Sequence, residues 1–411
     1  MLKGVCALAA LIAVAAIPCS AQDSNFGIAM PVTASAGALY SGRLQEGDYA
    51  ASPIAEGFRL MMYPTLKLGS HWFAYSAVQV RLSPYSYYDA YNPGAQLYTN
   101  TFQAYAGYTA RTEKTTLVIK AGRLATAFSS FALRYDDTDN PLLDQPLAYV
   151  TELPLRTDQL PCGTRDLLAQ SYGYVAASCG GRPGSGDGLI PLTLYGLPGV
   201  QIEASNGHLD GRVQLTAGSP AISEYFTTRL SYAQWTAGAG YTIRQGTRIG
   251  VSAFRGPYLD RAVASFLPAG ASVRDFPATG IGIDGQWARG RWSVNAEWQR
   301  FQFDLPNFVV SPTTTTGFAE VKSVLTPRLY LTARVGYMKN GSVLDSTQIF
   351  AAQYAPTLAS LELGGGVWLR RNLLLKGSYE WLYTEGEPGS QNNVFGFQLV
   401  ASIHALNWAF R

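Results

Sequence analysis

The sequence predicts an all-β fold, a transmembrane antiparallel β-barrel of about 16 strands with a long third external loop. Three observations predict it: long segments of alternating apolar and polar residues, a low content of charged residues, and connections that alternate between short and long. The alternation is clearest in residues 292–299, 329–337 and 373–381. A period of two places successive side chains on opposite faces of a strand. A tilted strand needs about ten residues to cross a bilayer, whereas about five or six are usual in soluble sheets.

The N-terminus is predicted to be a signal peptide over residues 1–21, so that the barrel occupies residues 22–411. Lys3 supplies the positive charge of such a signal, and residues 5–17 form its apolar segment. Small residues follow, and we expect cleavage after Ala21. Beyond that point no apolar run reaches the roughly 18 residues that a transmembrane helix needs.

The composition suits a surface that faces lipid. Charged residues make up 14% of the chain, whereas about 25% is typical of soluble domains. The chain contains 25 Tyr and 42 Gly. The formal net charge of +3 indicates no polyanionic partner, so nucleic acid is not expected as a partner.

The cysteines predict one disulfide bond. Cys6 and Cys19 belong to the predicted signal, which leaves Cys162 and Cys179 in an oxidising compartment. Two free thiols are the alternative. Lipoprotein modification of Cys19 is a further alternative, which Pro18 disfavours.

The predicted strands follow one another along the whole mature chain. Their approximate bounds are 28–40, 57–69, 72–87, 97–111, 115–123, 189–205, 209–217, 226–243, 247–257, 277–288, 291–304, 313–325, 328–339, 357–370, 372–384 and 392–404. Short polar turns alternate with longer polar loops between them, which is typical of outer-membrane barrels with the short side periplasmic. Strands of soluble β-sandwiches also alternate, but strand length, loop asymmetry and low charge favour the barrel.

The last strand carries a resemblance to a known family. Alternate residues from Phe395 to Ile403 share one apolar face, and the chain closes on Phe410 and Arg411. In this feature and in its architecture the chain resembles the porins of Gram-negative outer membranes. The resemblance implies a bacterial outer-membrane location, contact with lipid, insertion by the outer-membrane assembly machinery and a homotrimer.

The connection over residues 124–188 is the long third external loop. The resemblance implies that it folds into the lumen and constricts it. It holds eight acids and four bases, for a net charge of −4. The acids are Asp136, Asp137, Asp139, Asp144, Glu152, Asp158, Asp166 and Asp187; the bases are Arg134, Arg156, Arg165 and Arg182.

Charged residues on the predicted inner face are candidates for lining a pore. The strand alternation sends five bases inward: Arg81, Lys120, Lys322, Arg334 and Lys376. A charge on the lipid face would cost about 2–4 kcal/mol near the midplane, so the inner face is favoured. We expect these bases to face Asp136, Asp137, Asp139 and Asp144 of the loop across a constriction, although residues 136–140 are also consistent with a solvated surface run.

Motifs for catalysis or cofactor binding are weak. Residues 280–285 match the dinucleotide pattern GxGxxG, but they lie inside a predicted strand rather than before a helix. The histidines lack metal-ligand spacing. His208 and Asp210 form the single close pair with catalytic potential, and they lie in a predicted periplasmic turn. We therefore expect no enzyme, no cofactor and no metal.

These expectations combine into a predicted function, passive diffusion of small hydrophilic solutes through a water-filled lumen. Two alternatives stay open. One is a substrate-specific outer-membrane channel for sugars, organic acids or hydrophobic compounds. The other is a barrel plugged by its long loop that serves as an enzyme, adhesin or scaffold.

Overall fold

A computed structural model of the chain describes residues 26–41, 53–82, 97–131, 136–171, 178–181, 188–221, 232–347, 351–386 and 393–410. The predicted signal peptide lies outside these ranges. Within the ranges, no helix is long and apolar enough to cross a bilayer.

Sixteen antiparallel strands form the wall of the barrel. They are β1 Phe26–Ser41, β2 in two segments Ile54–Met62 and Thr65–Leu68, β3 Trp72–Leu82, β4 Leu97–Arg111, β5 Thr116–Leu124, β6 Leu197–Asn206, β7 Leu209–Ala217, β8 Ala233–Arg244, β9 Thr247–Pro257, β10 Pro277–Arg289, β11 Trp292–Phe303, β12 Thr313–Thr326, β13 Leu329–Asn340, β14 Leu358–Arg370, β15 Leu373–Thr384 and β16 Asn393–Phe410. The predicted number and class of strands are confirmed.

The barrel closes by pairing its first and last strands. β1 and β16 run antiparallel from the Phe26–Phe410 pair to the Ser41–Val394 pair. Closure leaves no sheet edge exposed to lipid, where an unpaired backbone group has no water to bind. β2 is interrupted where Pro64 lacks a backbone N–H, and the neighbouring Tyr63 N–H donates to Pro31 of β1 at 2.9 Å.

Alternation along each strand separates an apolar, outward-facing surface from an inner one. On β10, Ile281 and Ile283 are 48% and 54% exposed, whereas Asp284 is 2% exposed. The same strand contains the sequence match at residues 280–285, so that match is strand and not a nucleotide-binding turn. The inner face is the polar one, as in barrels whose lumen carries function.

The two ends of the barrel differ, and we name them by their connections. The short-turn end has tight turns, such as the one at Gly246, whose positive φ of 80° suits glycine. The long-loop end has the extended connections. This asymmetry predicts that the short-turn end is periplasmic.

The predicted start of one strand lies too early in the sequence. The strand expected over 189–205 begins at Leu197, and residues 188–196 belong to the preceding loop. Leu192 and Leu194, on either side of the polar Thr193, imitate strand alternation there, but they are buried within the loop. Leu189 also pairs with Leu153 of the same loop rather than with the wall. The strand expected over 226–243 is observed from Ala233, and residues 222–231 lie outside the described chain.

Candidate functional site

The connection between β5 and β6, residues 125–196, folds into the barrel, and we call it the lumen loop. Its ends leave the wall side by side, because Leu124 and Leu197 are direct cross-strand partners. From there the loop contacts inward side chains on strands around the barrel. Four sets of contacts fix its course.

The first contact joins the loop to β1 and β2. Arg59 of β2 binds the Asp137 carboxylate, with Nη2–Oδ1 at 2.9 Å and Nε–Oδ2 at 3.1 Å. Ser35 of β1 donates its hydroxyl to the same carboxylate, and the Tyr63 hydroxyl donates to Asp136. Asp136 and Asp137 are 9% and 6% exposed, so the alternative of a solvated surface run does not hold for them.

The second contact is a single lysine on β15. The Lys376 ammonium donates to the backbone carbonyls of Asp137 at 2.7 Å, Asn140 at 3.1 Å and Leu142 at 3.2 Å. An ammonium has three N–H donors, and each finds an acceptor here. Lys376 is 1% exposed and therefore lies beneath the loop instead of lining open water.

The third contact centres on Arg334 of β13. Its guanidinium donates to Glu320 of β12 at 2.6 and 3.1 Å and to Glu362 of β14 at 3.4 Å. It also donates to the Asn140 side chain and to the Asp144 carbonyl oxygen, both at 2.8 Å. One planar fork thus links three neighbouring strands to the loop, which its fixed donor geometry allows.

The fourth contact is the carboxylate of Glu297 on β11. Its Oε1 accepts from the Ser130 N–H at 2.9 Å, the Ser130 hydroxyl at 2.8 Å and the Phe131 N–H at 2.6 Å. Its Oε2 accepts from the Tyr149 hydroxyl at 3.0 Å and from the Gln299 amide at 2.8 Å. Burial and the Glu297 charge raise the pKa of Tyr149 well above its usual value, so its hydroxyl stays protonated and donates.

Inward glycines make room for apolar side chains of the loop. A Cβ added at Gly282 of β10 would lie 3.0 Å from the Phe128 ring, and one at Gly364 of β14 would lie 2.9 Å from Leu142. At Gly396 of β16 the added atom would meet a Leu143 methyl at 2.8 Å. These glycines act as sockets for the loop.

An apolar core fills the barrel toward its long-loop end. Lumen-loop residues Phe128, Phe131, Leu147 and Leu153 pack there against inward residues Met61, Phe102, Phe254, Phe301, Phe318 and Met338. Residues of other long loops, among them Tyr258, Val273 and Tyr354, join the same cluster and are at most 1% exposed. The structure differs here from the expected water-filled lumen, because packed side chains occupy this half.

Charged side chains line the lumen nearer the short-turn end and keep contact with water. Lys120 of β5 pairs with Glu203 of β6 at 2.8 Å, and their side chains are 19% and 33% exposed. Arg248 of β9 bridges Asp210 of β7 at 2.6 Å and Asp284 of β10 at 2.8 Å. Charges of both signs therefore lie side by side along this part of the wall.

The sequence-predicted bases fall into two groups. Arg334 and Lys376 bind the lumen loop directly, as described above. Lys120 pairs with a wall acid, Lys322 lies 4.3 Å from the ring centroid of Tyr330, and Arg81 lies 5.5 Å from that of Tyr98.

The predicted loop acids also differ among themselves. Asp136, Asp137 and Asp144 are buried against the wall, whereas Asp139 is exposed. Arg134, Arg182 and Asp187 lie outside the described residues. Arg59 was not among the predicted residues, although its place opposite Arg81 in the strand register puts it on the inner face.

A small folded unit of the lumen loop lies at the long-loop end of the barrel. Cys162 and Cys179 are joined by the expected disulfide bond, 17 residues apart in sequence. The bond joins the residue after the strand Gln159–Pro161 to its partner strand Ser178–Gly181, and the helix Thr164–Ser171 lies between the two cysteines in sequence. Asp345 of a neighbouring loop accepts from the Thr164 N–H at 2.6 Å, which fixes this unit to the rim.

In the described ranges, no group of three or more His, Cys, Asp or Glu side chains is arranged to hold a metal ion. The Asp210 carboxylate is engaged by Arg248, and the neighbouring His208 ring nitrogen contacts the Thr242 carbonyl at 2.7 Å in a short turn.

Comparisons with known proteins define the class of this barrel. Neither the protein-family comparison nor the comparison with curated proteins gave a match. Among solved structures, in-vitro folded OmpT, an outer membrane protein of Vibrio cholerae, matches with a TM-score of 0.55 and 9% identity over 93% of this chain and 99% of that chain. The outer membrane channel DcaP of Acinetobacter baumannii matches with a TM-score of 0.52 and 8% identity over 92% and 97%.

A trimer form of the Vibrio cholerae protein also matches, with a TM-score of 0.51 and 11% identity over 93% of this chain and 100% of that chain. At such identities the likeness shows the fold alone. The chain therefore has a closed antiparallel β-barrel fold of 16 strands, which it shares with these outer-membrane proteins.

Proposed function

We propose that the protein is an outer-membrane channel for passive diffusion of small hydrophilic solutes, whose passage the lumen loop narrows. The observation that carries the proposal is the inner wall near the short-turn end. There Lys120, Glu203, Asp210 and Arg248 face the lumen with partly exposed side chains. Charges at such positions set the selectivity of a pore, because they act across a narrow space. The architectural likeness to an outer membrane channel supports the same proposal.

Single-channel conductance of the refolded protein in a planar bilayer tests the proposal. Stable current steps are the expected result. Arg248→Ala leaves Asp210 and Asp284 without their shared cation, so the reversal potential in a salt gradient should shift toward cation preference. Arg255→Ala, which removes an exposed base from the outward face of the same strand β9, is the matched control and should not shift it. A substrate-specific channel would instead show saturable solute flux in vesicles.

A barrel plugged by its lumen loop is the second candidate, and the apolar core across the long-loop half favours it. The paired ends of the loop allow a sharp test. Because Leu124 and Leu197 are cross-strand partners, residues 125–196 can be replaced by a two-residue Asn-Gly turn. Conductance only after this replacement would support the plug. A folded barrel that conducts in neither form would overturn both the channel and the plug.

The proposal extends to location and assembly. We propose insertion into a bacterial outer membrane and a homotrimer, since a solved trimer shares the architecture. Chemical cross-linking in native membrane vesicles should give a ladder that ends at the trimer. A protein that stays monomeric under these conditions would remove the trimer from the proposal and leave the channel untouched.

A further inference from the structure

A cavity of about 30 Å³ lies between the lumen loop and the wall, and acidic side chains surround it. Asp144 of the loop, Glu362 of β14 and Glu380 of β15 line it. Glu362 and Glu380 are direct cross-strand partners, so their like charges face each other. The Asp144 Oδ2 atom is buried with no hydrogen-bond partner, and the residue is 7% exposed.

Charges packed around this cavity do not balance. Among the residues that the structure describes, six carboxyl groups and three cations, each at most 9% exposed, meet between the loop and strands β2, β12, β13, β14 and β15. The acids are Asp136, Asp137, Asp144, Glu320, Glu362 and Glu380; the bases are Arg59, Arg334 and Lys376. Full ionisation would bury an excess of three negative charges. Buried carboxylates without a partner take up protons instead.

The ion pairs and hydrogen bonds of these groups show which acids carry the excess negative charge. Arg334 is committed to Glu320 and Glu362, and Glu362 also accepts from the Leu143 N–H at 3.1 Å and the Ser378 hydroxyl at 2.8 Å. Arg59 is committed to Asp137. Within the described ranges, Asp144 and Glu380 remain as two acids that line the same cavity and form no ion pair with a cation. Burial, and next the charge of Glu362, raise the pKa of Asp144 to about 7, against the opposing effect of the Gln145 N–H.

We propose that Asp144 and Glu380 share a proton when the lumen loop is docked, so that the loop is held tightly in acid and more weakly toward neutral pH. A shared proton would give the Asp144 Oδ2 atom the hydrogen bond that it lacks. When the proton leaves, repulsion across the cavity acts directly on the loop, because Asp144 belongs to it. The proposal concerns docking and does not require that the barrel conducts.

The direction and the pH window follow from linkage. In the undocked loop Asp144 should titrate near its ordinary value of 3.8, and in the docked loop its pKa is about 7. The docked state therefore binds the proton more tightly. The bound proton on Asp144 stabilises the docked state fully below about pH 4, and this stabilisation is lost as the pH rises through about 7. Between pH 5 and pH 8 the opening equilibrium of the loop should rise on the order of tenfold to a hundredfold.

Hydrogen exchange on the refolded full-length protein tests this. The amides of Leu143 and Asp144, which donate to Glu362, report docking directly. After correction for the intrinsic pH dependence of exchange, their protection factors should fall by tenfold or more from pH 5 to pH 8. Asp144→Asn, which cannot ionise, should keep high protection at both values. Glu152→Gln, which neutralises an exposed acid of the same loop, should behave as the unchanged protein.

Three outcomes would overturn the proposal. Protection that does not change with pH in the unchanged protein is the first. An Asp144→Asn variant that loses protection as the unchanged protein does is the second. Protection that collapses at pH 5 on addition of a chelator is the third, since a metal ion would then neutralise the cavity. If Asp144→Asn fails to fold, Glu380→Gln provides the same comparison from the wall side.

Discussion

Arg59 on β2 and Asp137 in the lumen loop are 78 residues apart in sequence and form an ion pair inside the barrel, 2.9 Å between Nη2 and Oδ1. Arg59 is 5% exposed and Asp137 is 6% exposed. Each ion depends on the other, because the surrounding side chains exclude water. The pair therefore acts as a latch between loop and wall, whatever its net contribution to the free energy of unfolding.

Arg59→Ala should release this latch. The substitution removes the Arg59 cation from the buried Asp137 carboxylate, and loss of one partner of a buried pair costs about 3–5 kcal/mol. We expect the amides of residues 136–144 to lose hydrogen-exchange protection while amides of the strands keep theirs. Lys114→Ala, in an exposed turn at the short-turn end, is the control. Equal protection in both variants would show that Arg59 does not hold the loop.

Glu297→Gln should loosen the opposite side of the loop. The Glu297 carboxylate accepts five hydrogen bonds. The amide of glutamine has one oxygen and one N–H₂ group, so it would place a donor against donors such as the Tyr149 hydroxyl. We expect a loss of about 2–3 kcal/mol in the free energy of unfolding, measured by urea titration in lipid vesicles. Glu113→Gln in an exposed turn should change it little. A loss as large in the control would point to a general charge effect.

Gly282→Val tests the fit between loop and wall. The added methyl groups would occupy the space of the Phe128 ring, because even a Cβ would lie 3.0 Å from it. We expect Phe128 and its neighbours to be displaced and conductance to rise if a passage exists beside them. Gly285→Val on the same strand has no atom within 4 Å of the added Cβ and should be silent. Unchanged exchange at Phe128 in the first variant would contradict the socket role.

The wall of the barrel could be predicted from the sequence, and the physical reason is its period. Every second residue of β10 or β13 faces outward, so alternation reports the environment residue by residue. Inward acids such as Glu297 and Glu320 follow from that register. The disulfide could also be predicted, since Cys162 and Cys179 are the two cysteines that lie outside the predicted signal peptide.

The packing inside the lumen could not be predicted from the same signal. Residues 188–196 carry apolar residues that alternate for a different reason, burial in the loop core, and this moved the predicted start of β6. Whether Asp136 is solvated or buried depends on Tyr63, which is distant in sequence. The sockets at Gly282 and Gly396 offered a usable signal, because inward glycines in long strands leave space that something must fill.

Reduction of the disulfide between Cys162 and Cys179 should loosen the outer part of the lumen loop. Both cysteines are exposed, so a reductant can reach the bond in the folded barrel. The bond closes a loop whose ends are 17 residues apart, and cross-links of this size contribute about 3 kcal/mol in the chain-entropy model. We expect exchange protection over residues 159–171 to fall on reduction.

Four wall residues bind the lumen loop, and we call them the four anchors. Their contacts determine how far the loosening on reduction spreads. Arg59, Lys376, Arg334 and Glu297 bind residues 130–149 of the loop, which precede the disulfide unit. Reduction alone should therefore leave those residues docked, and conductance should change little. Reduction of the Arg59→Ala variant should raise the conductance more than either change alone, because two independent restraints on the lumen loop are removed. A full opening on reduction of the unchanged protein would show that the disulfide unit, and not the four anchors, holds the loop inside the barrel.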